Sequence, residues 1–239
     1  MRKTIVLLLI LVPASQSVTA ADWTVVQTAS VSPPTFSMSQ QNATSSRQAV
    51  NGSVLGPDDP LSSVTQTTNF ANANVTLTQS GSATNSNVQT INLASVPSIV
   101  QLEQTAENFN TATLTQDITG SDNVQAINYA YADDYIGDAT QTVTATSIAL
   151  TKTATTPAGN VQAVNYMKAN RYTGIIIQQL NLRESLVPND LSASNSGIRI
   201  NSINGNTVGA ISITQTVKAR SVEINAEDFP TIILNHISP

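Results

Sequence analysis

Acid–base and nucleophilic chemistry need histidine, cysteine or gathered carboxylates, and this 239-residue chain is poor in all three. It has no cysteine. Its one histidine, His236, stands three residues from the end, where a fraying tail is the ordinary reading. Asp133, Asp134 and Asp138 crowd one short stretch. They offer oxygen enough for a weak calcium site, but read better as a solvated turn. Asp117 and Asp122 flank Gly120 in the same way. Arg171 and Tyr172, and Lys218 and Arg220, are the material for contacts with sugars or an anionic surface. No Gly-rich phosphate loop or zinc-ligand spacing occurs. The expectation is no enzyme, no cofactor and no bound metal.

What does recur is carboxamide. "NVQAIN" at Asn123 returns as "NVQAVN" at Asn160, and both belong to a longer series. A first column runs Gln48, Gln89, Gln125, Gln162 and a degenerate Asn201, at spacings of 41, 36, 37 and 39. A second runs Gln66, Gln104, Gln141, Gln178 and Gln215, at 38, 37, 37 and 37. A third holds Gln79 and Gln116, with Lys152 in the next place. Backwards, Gln27 precedes Gln66 by 39 residues and Gln41 precedes Gln79 by 38. A fixed period carried by three parallel columns is the signature of a repeat protein.

The elements that position these columns read as strands. "NVQAINYAYA", "DATQTVTAT" and "SIALTKTAT" are rich in β-branched and aromatic residues and are separated by Asp, Gly and Pro turns. Nothing after the first twenty residues has a helical period. Each unit of about 37 residues thus holds three short strands and three corners. On a strand, Gln125 shares a face with Ile127, Gln116 with Leu114, and Gln141 with Val143. A buried amide without a partner costs about 1–3 kcal/mol. Glutamine belongs on an apolar face only if the next coil brings its own copy about 4.8 Å away. The predicted fold is therefore an all-β solenoid of parallel stacked coils. A five-bladed propeller is the competitor, disfavoured because a blade needs four strands. Asn51, Asn92, Asn128 and Asn165 admit two readings, ladder members or corner markers. Lys152 predicts a corner or a partly wet face, since buried lysine is rare unless paired.

Residues 1–20 have the order of a signal peptide: Arg2 and Lys3, an apolar run Ile5 to Val12, then small Val18-Thr19-Ala20. Residues 21–46 read as an N-terminal partial coil or cap, 47–229 as the solenoid, and 230–239 as a C-terminal strand or tail. Within the solenoid, 181–197, with Pro188 and several charges, reads as an excursion. Roughly 219 residues after the leader are ample for one core without disulfides. No later segment is apolar enough to span a membrane. Only 10% of residues are charged and 4% aromatic, with net charge -5, so no basic face offers itself to nucleic acid. Thr65, Thr67, Thr140 and Thr142 raise ice binding, but Glu103 and Ile177 interrupt the array.

At "LTQSGSATNSNVQTIN" (Leu77 to Asn92), again at Leu114 to Asn128 and, with lysine, at Leu150 to Asn165, the chain resembles bacterial functional amyloid subunits of the curli and Fap types. Its repeat is longer than the curli one and its turns hold fewer glycines. The resemblance implies a secreted subunit of an extracellular biofilm fibre, with itself as partner, a nucleator subunit and an outer-membrane export pore. The glutamines of the three columns would carry assembly. The second expectation is a secreted adhesin or glycan-binding solenoid, using Tyr129, Tyr131, Tyr135, Tyr166 and Tyr172 as an aromatic stripe.

Overall fold

A computed structural model describes residues 23–32, 34–56, 62–81, 86–153, 156–157, 159–191, 197–226 and 232–238. The leader-like residues 1–20 lie outside this set. Among the described residues there is no helix, so none long and apolar enough to cross a membrane. Every strand pairing is parallel, which removes the propeller and leaves the solenoid.

The stack has three faces, here A, B and C, each six rungs deep. Rung one is β1 (Trp23–Ser30), β2 (Thr35–Gln41) and β3 (Arg47–Val54). Rung two is β4 (Ser62–Gly81), which covers faces A and B, and β5 (Val88–Val96) on face C. β6 (Ile99–Ile118) covers A and B of rung three, and β7 (Val124–Lys152) supplies its face C and then A and B of rung four. β8 (Val161–Tyr172) completes rung four. Rung five is β9 (Ile175–Leu182), β10 (Ser185–Asp190) and β11 (Ile198–Val208). Rung six is β12 (Ser212–Lys218), β13 (Ser221–Val222) with β14 (Asn225–Ala226), and β15 (Ile232–Ser238).

Four details differ from the sequence reading. The strands are not short pieces between loops, since β4 and β6 run 20 residues around a corner and β7 runs 29 around two. Corners are turned by one or two left-handed residues, such as Ala71 and Asn72 (φ 47 and 64), Asn108 (φ 60) and Asp122 (φ 59), a conformation that Asn and Asp tolerate best. That is why ten glycines suffice. The partial coil at 21–46 does not stand apart as a cap, because its β1 and β2 pair with β4 as two faces of an ordinary rung that β3 completes. The expected excursion at 181–197 contains β10, which pairs with β7 from Leu186↔Ile148 to Asp190↔Lys152. Pro188 is tolerated there without leaving the stack. His236 lies in β15 beside Ser202 rather than in a frayed tail.

Face C bends where its ladder skips one residue per rung, at Val50, Ile91, Ile127, Val164 and Ile200. These apolar residues fill a core with Phe70, Phe109, Leu77, Leu114 and Leu150. A second core holds Val64, Leu102, Ile136, Met167 and Tyr172. The outer crease of the bend closes on itself around Leu93, Ala126, Tyr129, Ala163 and Tyr166.

Candidate functional site: amide seams and open ends

Two polar seams divide these cores. In the seam between faces A and C, the second column forms one file. Gln66 Nε2 donates to Gln27 Oε1 at 2.8 Å, Gln104 to Gln66 at 2.8 Å, and Gln141 to Gln104 at 2.7 Å. Gln178 donates to Gln141 at 2.8 Å and Gln215 to Gln178 at 2.7 Å. Each amide has a second N–H, and it reaches across to face C. Gln66 gives it to the Leu93 carbonyl, Gln104 to Tyr129, Gln141 to Tyr166 and Gln178 to Ser202. Those carbonyls use a lone pair beyond the one engaged in the sheet.

An asparagine file runs beside it through Asn51, Asn92, Asn128, Asn165, Asn201 and Asn235, with contacts of 2.8–3.1 Å. These asparagines are ladder members, not corner markers. They return the cross-seam bonds, Asn92 to the Thr105 carbonyl and Asn128 to that of Thr142. The degenerate motif is thereby re-registered. Asn201 stacks on Asn165, and Ile198 takes the glutamine place above Gln162.

The seam between faces B and C holds the other glutamines. Gln89 donates to Gln48 at 3.1 Å, Gln125 to Gln89 and Gln162 to Gln125 at 2.8 Å each. Gln79 donates to Gln40, and Gln116 to Gln79, at 2.9 Å. The first member of that file is Gln40, not Gln41. Asn87, Asn123 and Asn160, which the columns did not single out, make a further file at the corner, at 2.9 and 2.8 Å. All three glutamine files donate toward the preceding rung, and both asparagine files toward the following one. The ladders therefore have direction.

Lys152 is fully buried, which overturns the wet-face expectation. It sits beside Gln116 on one side and Asp190 on the other, and donates to the Asn160 carbonyl at 2.7 Å. Burial lowers its pKa from the ordinary 10.5 to about 7; Asp190 opposes that shift and Arg199 adds to it.

The carboxylates do not converge. Asp133 accepts from the Tyr131 hydroxyl, Asp134 pairs with Arg171, and Asp138 accepts from the Ile175 amide. Among the described residues no group of three or more metal-ligating side chains occurs. The tyrosine stripe is not exposed either. Tyr129 and Tyr166 stack at 5.2 Å inside the crease, 6% and 2% exposed, and Tyr172 is in the core. Burial raises all three hydroxyl pKa values above the ordinary one. Only Tyr131 and Tyr135 reach the surface, the latter under the Arg171 guanidinium at 5.3 Å.

Among the described residues nothing pairs with the outer edge of rung one or rung six. Both ends show the core in cross-section. Phe36, Met38 and Val50 are half-buried at one end, and Val222, Ile224 and Ile237 are 42%, 54% and 47% exposed at the other. No protein-family model, curated protein or solved structure matches this chain.

Proposed function

We propose that the chain is a secreted structural protein, a self-assembling subunit of an extracellular amyloid-type fibre at the cell surface. One observation carries the reading. Directional amide ladders run through the stack and stop at rungs whose backbone edge and core are both uncovered among the described residues. An open parallel edge is a template for another strand, and identical amides stacked in register are the steric and hydrogen-bonding logic of cross-β fibres. The signal-like order of residues 2–20 and the similarity to curli and Fap subunits support export, with a nucleator subunit and an outer-membrane pore as accessory partners. The chain from Ala21 onward, purified and concentrated, is expected to form thioflavin-positive fibres with a meridional reflection at about 4.7–4.8 Å. A protein that stays monomeric for days at high concentration overturns the proposal.

A second reading, a glycan-binding adhesin, retains one observation. An open groove of about 300 Å³ is lined by Tyr131, Asp133, Lys168, Asn170, Asn204 and Asn206, a ring, two charges and three amides. Loss of polysaccharide binding in Tyr131→Ala, with fibres intact, would favour it.

A further inference from the structure

We infer that the partner of the rung-six end is the rung-one end of a second copy, docked head to tail in one register, with Gln215 over Gln27 and Asn235 over Asn51. The inference rests on the self-assembly reading and adds polarity and alignment to it.

Column positions follow from the pairing within the chain. Phe36, Val75, Ala112, Ile148, Leu186 and Val222 form one file, and Val75 through Leu186 are core residues. Met38, Leu77, Leu114, Leu150, Pro188 and Ile224 form the next. Val50 and Leu234 end the file of Ile91, Ile127, Val164 and Ile200 on face C. Val222 and Ile224 are therefore not stray surface residues. They stand at core positions, exposed because among the described residues no seventh rung covers them. Continuing the stack sets Val222 on Phe36, Ile224 on Met38 and Leu234 on Val50, apolar against apolar in all three.

The ladders select the orientation. Gln27 gives one N–H to the Gly52 carbonyl, as the later glutamines do across the seam. The other N–H, which each later glutamine gives to the preceding rung, has no preceding rung among the described residues. A preceding copy supplies Gln215 at that place, and its Asn235 donates in the opposite sense to Asn51. Head-to-head docking would set glutamine N–H against glutamine N–H. Two files end at the junction, since Ala226 and Ile232 stand over Gln40 and Gln48. Both of those glutamines already donate within their own rung, Gln40 to the Ser46 carbonyl and Gln48 to that of Ser39.

The absence of cysteine makes the test clean. Thr28 and Thr216 end one outward file, through Thr67, Thr105, Thr142 and Gln179. In the docked register they are lateral neighbours at about 4.8 Å, within disulfide reach. Thr28→Cys mixed with Thr216→Cys under mild oxidation is expected to give a heterotypic dimer, and the double variant a ladder of covalent multimers. Thr24→Cys, four residues away, should not link to Thr216→Cys. Fibres whose Thr28→Cys subunits link to one another, or whose Thr24→Cys links equally well, overturn the polarity or the register while self-assembly stands. Neither fibres nor links, with the β-sheet circular dichroism unchanged, overturns both.

Discussion

A carboxamide brings two donors and an acceptor oxygen into an interior where each one left over costs stability. Gln141 spends its own on Gln104, Gln178 and the Tyr166 carbonyl, and is fully buried. Replacing it with leucine strands an acceptor on Gln104 and a donor on Gln178, at about 1–3 kcal/mol each. Gln141→Leu should therefore lose several kcal/mol in urea denaturation, and Gln27→Leu, with one neighbour in the file, about half as much. Lys152 gives a second prediction. The unfolded chain holds its proton to about pH 10.5 and the folded chain only to about pH 7. Between those values the unfolded state binds more protons, so stability climbs with pH. Above about pH 10 the sign reverses, because buried Tyr129, Tyr166 and Tyr172 keep protons the unfolded chain loses. Denaturation midpoints should thus rise from pH 7 and peak near about pH 10. Lys152→Gln restores the column residue beneath which the Gln116 Oε1 is unpartnered, and should raise stability at pH 7 and flatten the climb.

Whole coils are interchangeable if the period is real. Leu102 and Ala139 are lateral neighbours, so deleting Leu102–Asp138 puts Ala139 where Leu102 stood and lays rung four on rung two. That variant should still unfold cooperatively, with a lower midpoint, as stability in stacked repeats is close to a sum over neighbours. Deleting Leu102–Gly120 removes two faces of one rung and should abolish the transition. The sequence showed this level well. Period, parallel stacking and the glutamine files were legible because identical amides return at near-constant spacing. Which wall meets which was not, since spacing does not say that face C bends at Ile127 and its neighbours. That bend closes the crease over Tyr129 and Tyr166, which the sequence reading set in an exposed aromatic stripe. Rung one escaped because corner lengths vary, moving the partner of Gln79 from Gln41 to Gln40. The fifth motif slipped by three residues because Ile198 replaced its glutamine.

At the scale of the molecule, a stack with directional ladders, uncovered at both ends among the described residues, offers the proposed fibre half of an interface at each end. Among the described residues both surface ion pairs, Arg171–Asp134 and Arg220–Glu184, are solvent-exposed, so they add little to holding the stack together. The cores and amide seams carry it, and these are the features that the proposed fibre would continue into a second copy. Salt should therefore change fibre yield far less than Val222→Asp with Ile224→Asp, which sets two carboxylates against Phe36 and Met38. That double variant should stay soluble with its β-sheet circular dichroism retained. Fibre diffraction from aligned filaments of the chain beginning at Ala21 tests the central claim most directly. Six rungs per subunit, stacked in register along the axis, predict a meridional reflection at about 4.8 Å and an axial subunit repeat of about 29 Å. A cross-β pattern without that longer repeat, or strands running along the filament axis, would contradict it.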